Sequence, residues 1–187
     1  MDMKKIYVPL IITVLLAGSA VFGNTPSTFK AEEPILITSA GQSADILMVK
    51  VLAKKANLNF IFDKTAAPET VDEAKSIFLV CGGSTKGLGA AKIDKEQEFE
   101  RVKALIERAQ KKNVTLIVMH VGGKSRRGKL SDYFNQLAAD NADHMIVVKA
   151  GDQDGFFSEI AKKRKVGIDL PEKIINITEL LQAIYGK

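Results

Sequence analysis

Residues 116–119, Leu-Ile-Val-Met, form an unbroken apolar run. The run passes straight into His120, a Gly122-Gly123 turn and the basic residues Lys124, Arg126, Arg127 and Lys129. Successive side chains of a strand point to opposite faces, so a strand apolar at every position must be covered on both. That single stretch therefore requires helices above and below a sheet.

The rest of the chain supplies them. Short apolar runs at residues 35–37, 59–62, 77–80 and 145–148 repeat the strand pattern, and residues 174–177 offer a sixth strand. Helical spacing predicts helices near residues 43–56, 94–111, 130–141, 155–165 and 178–185. Asp94 and Gln97 have the spacing of a capping box, and Phe99, Val102, Leu105, Ile106 and Ala109 share one apolar face behind them. Thr70 and Glu73 suggest a second box before a short helix, while residues 82–91 read as a glycine-rich loop. Ile46, Leu47, Val49, Val51 and Leu52 make the first helix apolar all round, which predicts deep burial.

Strands alternating with helices imply right-handed crossovers and a parallel sheet. The expected fold is a three-layer, Rossmann-like α/β open sheet of five or six mainly parallel strands. The link between the second and third strands is short and that between the third and fourth is the longest. These lengths favour the order 3-2-1-4-5 over 2-1-3-4-5.

The N-terminus is of another kind. Lys4 and Lys5 precede an apolar run at residues 6–17, followed by Gly18, Ser19, Ala20 and Gly23. This is the pattern of a secretory signal: a short apolar helix enters the membrane while its lysines stay behind. Residues 1–23 are thus expected to be a signal peptide or membrane anchor, residues 24–33 a linker and residues 34–187 one domain. The expected location is extracytoplasmic, with membrane contact only through residues 6–23. Ser19 stands where a lipoprotein would need its acylated cysteine, which argues against a lipid anchor. Cys81 is the sole cysteine, so no internal disulfide can form. The formal net charge is +5, of which residues 1–23 carry +1. This mild excess, together with export, argues against nucleic acid as partner.

Open parallel sheets bind ligands at the carboxyl ends of their strands. Under the favoured order, Ser39, Gly41, Gln42 and Ser43 face His120, Gly122, Gly123 and Lys124 across one crevice. Helix-start amides, close glycine backbone and a lysine suit a small anion. No cofactor or metal is implied: residues 39–44 lack the G-x-G-x-x-G fingerprint, and Lys86 precedes Gly87 where a Walker loop needs Gly-Lys-Ser/Thr. Cys81 with His120 as its base is an alternative, a thiol enzyme or hydrolase. Another alternative is an interaction module presenting Lys162, Lys163, Arg164 and Lys165 to an acidic partner or lipid headgroups.

The leader, the TSAGQSADI turn, the VCGGSTKGLGAAKID loop and the MHVGGKSRRG loop together resemble an uncharacterised family of exported bacterial α/β domains. The resemblance covers about residues 34–187. It implies export and a Rossmann-like fold, and it assigns no catalytic residue.

Overall fold

The computed structural model describes residues 28–187. Six parallel strands form one sheet: β1 (Ile35–Ala40), β2 (Phe60–Phe62), β3 (Ser76–Cys81), β4 (Thr115–His120), β5 (His144–Val147) and β6 (Gly167–Asp169). Six helices accompany them: α1 (Asp45–Lys55), α2 (Thr85–Ala91), α3 (Lys95–Lys112), α4 (Lys129–Ala139), α5 (Phe156–Arg164) and α6 (Ile177–Tyr185). The α/β open sheet is as the sequence predicts.

The strand order differs from the one favoured above. It is β2-β1-β3-β4-β5-β6, with Ala40 in register with Cys81 and Val80 with Met119. The short β2–β3 link does not join neighbours. A 3-10 turn at Pro68–Glu73, with Pro68 in its first turn and no side-chain cap, carries the chain past β1 to its other side. Nor does the long β3–β4 link cross the sheet. Its length is taken up by α2 and α3.

Residues 85–91 are thus helix rather than loop, capped by Ser84, whose Oγ accepts from the Gly87 amide. Gly87 serves close packing: a Cβ there would lie 2.0 Å from the Gln42 carbonyl oxygen. The Asp94–Gln97 capping box forms with bonds of 2.7 and 2.9 Å. The sixth strand is Gly167–Asp169, and Ile174–Asn176 is a 3-10 turn. A three-residue edge strand carries too little apolar sequence to announce itself.

Alternation along the strands divides the core in two. Leu36, Ile77, Leu79, Cys81, Leu116, Val118, Met145 and Val147 pack with residues of α3, α4 and α5. Ile35, Ile37, Phe78, Val80, Ile117, Met119 and Ile146 pack with residues of α1 and α6. Helix α1 is not buried all round: Ile46, Val49 and Leu52 face the sheet, while Leu47, Met48 and Val51 remain exposed. Two layers cannot enclose a helix that has only a sheet beneath it and α6 beside it.

Candidate functional site

All six strands end on the same side of the molecule, so the loops after β1, β3, β4 and β5 share one edge. Strand order reverses between β1 and β3, the usual opening of a doubly wound sheet. Here the chain fills that opening itself. Gln42 bridges to Gly83, Ser43 donates its amide to the Gly82 carbonyl, and Ser84 donates to the Gly41 carbonyl. Beneath them lies Glu98 of α3, fully buried. Its Oε1 accepts from the Gly41 amide at 2.9 Å and from Gln42 Nε2 at 3.0 Å, and its Oε2 accepts from Arg101 Nε at 2.8 Å. Arg101 also donates to the carbonyls of Ser39 and Ala66. A buried ion pair is tolerated only when such bonds satisfy it.

One strand further along, the β3 and β4 ends form a second cluster. His120 closes β4 and is fully buried, its ring 5.2 Å from that of Phe157. Its Nδ1 lies 3.2 Å from the Cys81 carbonyl oxygen. A carbonyl only accepts, so Nδ1 carries the proton and Nε2 is an acceptor in the neutral ring. Burial pulls the imidazole below its ordinary value near 6.5, so the ring is neutral at pH 7. Nε2 is buried and meets no partner among the described residues, and the same holds for Asp45 Oδ2.

One of these atoms lies beside Gly122 and the other beside Gly151. A Cβ on Gly122 would be 2.8 Å from Asp45 Oδ2. A Cβ on Gly151 would be 2.5 Å from the Gly122 carbonyl oxygen and 3.1 Å from His120 Nε2. Glycine at these two positions is what lets the loops after β4 and β5 close on the histidine.

Arg126 folds over this cluster. Its Nε is 3.5 Å from Asp45 Oδ1, and its Cγ would be 2.3 Å from a Cβ on Gly122. Lys124 opens the same 3-10 turn, Lys124–Arg126, and is exposed, with no acidic partner among the described residues. Arg127 is a clasp. It bonds Asp132 at the start of α4, Asp154 and the Gly151 carbonyl, and its guanidinium lies 4.4 Å over the Phe156 ring.

The residues expected to line one crevice are therefore divided. Gly41 and Gln42 are buried and bonded to Glu98, and Ser39 gives its carbonyl to Arg101 while its buried Oγ meets no partner among the described residues. Ser43 is not the helix cap: Ala44 is, and Ser43 Oγ accepts from the Asp45 amide at 3.3 Å. His120, Gly122, Gly123 and Lys124 stand together at the β4 end. Two strand steps, about 10 Å, separate the β1 and β4 axes, and Asp45 reaches across that interval.

Sequence reasoning missed Asp45 and Gly151 in this cluster and held Arg126 only as one of the basic residues after the Gly122-Gly123 turn. Reading 2-1-3-4-5 would have placed the Cys81-Gly82-Gly83 loop between the two halves and drawn attention to the acid in the first turn of α1.

With β3 beside β4, Cys81 does adjoin His120, through its carbonyl oxygen. Its Sγ lies 3.6 Å from the Met119 carbonyl oxygen and the residue is fully buried. Burial pushes the thiol far above its ordinary value, so the thiolate that chemistry needs is disfavoured. Asp152 and Asp154 both serve the start of α5, accepting from the Phe157 amide at 2.7 Å and the Phe156 amide at 3.3 Å. Arg164 donates to the carbonyls of Ala139 and Ala142 and so belongs to the fold rather than to a presented basic surface. His144 lies at the opposite end of the sheet from His120, stacked on Phe29 and 2.7 Å from Asp169 Oδ2. Among the described residues, no group of three or more His, Cys, Asp or Glu is placed to hold a metal ion.

A family model described as a domain of unknown function, DUF6305, matches residues 32–185. The chain belongs to the DUF6305 family. No curated protein matches it. Among solved structures, this DUF6305 chain is similar to a mutant of the esterase AlinE4, with 9% identity over 77% of each chain and a TM-score of 0.31. A likeness at that level carries no argument about activity. The family assignment matches the uncharacterised α/β family that the leader and loops resemble, and the DUF6305 region is the part that folds as the six-stranded sheet.

Proposed function

We propose that this DUF6305 chain is an exported α/β domain that binds a small anion at the carboxyl ends of β3 and β4 and does not turn it over. The observation that carries the reading is the Lys124–Arg126 turn. It follows Gly122-Gly123, leaves Lys124 exposed and packs Arg126 on Gly122 beside Asp45. Lys124 and Arg126 supply charge at the mouth, and the glycines let backbone approach a ligand. Export rests on Lys4, Lys5 and the apolar run at residues 6–17. The reading without turnover rests on Cys81, whose thiol is buried and held protonated.

Charged hydrogen bonds contribute about 1.5–3 kcal/mol each. Three of the stronger bonds, less about 4 kcal/mol for association, leave about 5 kcal/mol, an affinity of roughly 0.2 mM at best. Calorimetric titration of phosphate, sulfate and acetate into the full-length chain tests this. At least one should bind, and a Lys124→Ala, Arg126→Ala double variant should lose tenfold or more. Equal affinity in both proteins, or no binding by the wild type, overturns the reading.

A further inference from the structure

Helix α1 has one face buried and one bare. Ile46, Val49, Leu52 and Ala53 pack into the core shared by the sheet and α6. Leu47, Met48, Lys50, Val51, Lys54 and Lys55 are exposed. At about 3.6 residues per turn they share one side of the helix. The three apolar side chains are 53%, 43% and 48% exposed, and the other residues are lysines. A helix that faces water carries charges of both signs, as α3 does with Glu96, Glu100, Lys103, Glu107 and Lys111 exposed. The bare face of α1 holds no acid. Apolar residues exposed singly are ordinary, but a cluster of them is a surface that something covers.

Two observations say what covers this one. The first is charge: none of the three lysines has an acidic partner among the described residues, and Lys50 lies 4.3 Å over the Phe62 ring. The cover is therefore apolar and anionic together. The second is the path of the chain. Phe29 and Ala31 pack on the α1–α6 side of the sheet, and Lys30 reaches the Ala183 carbonyl of α6. The chain thus joins the domain on the layer that contains α1. The apolar run at residues 6–17 lies just upstream. The ten residues 18–27 extend at most about 35 Å, so a membrane that holds the run lies close to this layer.

Resting on the export reading above, we propose that the bare face of α1 docks on the surface of an anionic lipid bilayer. Leu47, Met48 and Val51 enter the boundary between headgroups and acyl chains, while Lys50, Lys54 and Lys55 keep their ammonium groups among the lipid phosphates. Membrane contact then involves α1 as well as residues 6–23.

The experiment places an environment-sensitive dye on the full-length chain by Met48→Cys, with Gln136→Cys on the opposite layer as control. Both positions are exposed and Cys81 is buried, so the dye goes where it is sent. Phosphatidylcholine vesicles containing about one-third phosphatidylglycerol should brighten the Met48→Cys label at least twofold and shift its emission to the blue, and should leave the Gln136→Cys label unchanged. Adding Lys50→Glu, Lys54→Glu and Lys55→Glu should abolish most of that response while the chain still sediments with the vesicles through its leader. A chain that sediments with no response at Met48→Cys overturns the docking and leaves the leader's membrane entry standing. Failure to sediment overturns both. A blue-shifted Met48→Cys label without vesicles also overturns the proposal: if it fades on dilution, a second copy covers α1, and if it does not, the chain's own leader does. Should the glutamate variant not fold, the comparison of the two label positions still decides.

Discussion

His120 shows how much one residue's surroundings alter its chemistry. From sequence it is a titratable group after a strand, suited to donate to an anion once protonated. In the fold it is neutral, with one nitrogen committed and the other an acceptor. Its depressed pKa has a thermodynamic consequence. The unfolded chain binds a proton near pH 6.5 more readily than the folded one, so stability rises with pH through this window. The contribution is present above 6.5 and is lost as the pH falls toward the folded value. Urea midpoints of the wild type should therefore decline between pH 7.5 and 5.5, by at most about 1.4 kcal/mol per pH unit from this group. In His120→Asn, which keeps a donor for the Cys81 carbonyl, the decline should be shallower. An identical slope in both proteins would show that His120 titrates alike folded and unfolded.

At the scale of elements, α3 has two roles. Its apolar face, Val102, Leu105, Ile106 and Ala109, was legible from spacing and packs on the sheet as expected. Its first turn does something the spacing does not convey: Glu98 and Arg101 hold the loop after β1 and fill the switch point. Gly41 and Gln42 take positive φ there, 98° and 61°, a conformation disfavoured for glutamine and fixed by these bonds. Glu98→Ala leaves the Gly41 amide without its acceptor and the Arg101 charge without its carboxylate, while Arg101 keeps the Ser39 and Ala66 carbonyls and Gln42 Nε2 that of Lys64. Losing one partner of a buried pair costs about 3–5 kcal/mol, and urea unfolding should show a loss of that size. A loss below about 1 kcal/mol would mean that the network adds little to the fold.

For the whole molecule, the N-terminal boundary is the testable feature. Residues 29–31 are fastened to the domain: Phe29 stacks on His144 at 4.2 Å, Lys30 reaches the Ala183 carbonyl and the Ala31 amide lies 3.4 Å from the Ile184 carbonyl oxygen. The leader at residues 1–23 and the first residues of the linker lie outside the described residues. Among those described, no helix is long and apolar enough to cross a membrane. Cleavage after Ala20 or Gly23 would leave residues 29–31 intact. N-terminal sequencing of the exported protein should thus begin near Val21 or Asn24. Intact Met1 in a carbonate-resistant membrane fraction would establish an anchor, and a full-length soluble cytoplasmic chain would overturn export.

The sequence by itself determined the layers. Apolar runs too short for helices and apolar at every position must be sheet covered on both faces, and the Asp94–Gln97 box marks where one cover begins. It also determined that loops follow the strands at one edge, because glycine and polar residues end each apolar run on that side. Tertiary structure alone decided which strands are neighbours. Link length is a poor guide to that, since a helix consumes residues as readily as a crossing does, and a 3-10 turn lets a short link pass a strand. The site depended on that choice. With β3 between β1 and β4, the loop after β1 is sealed by Glu98, and the acid at the Gly122 turn is Asp45, from a helix that local patterning marks only as a cover for the core. Contacts between residues so far apart in the chain arise from strand order, which no local pattern of side chains encodes.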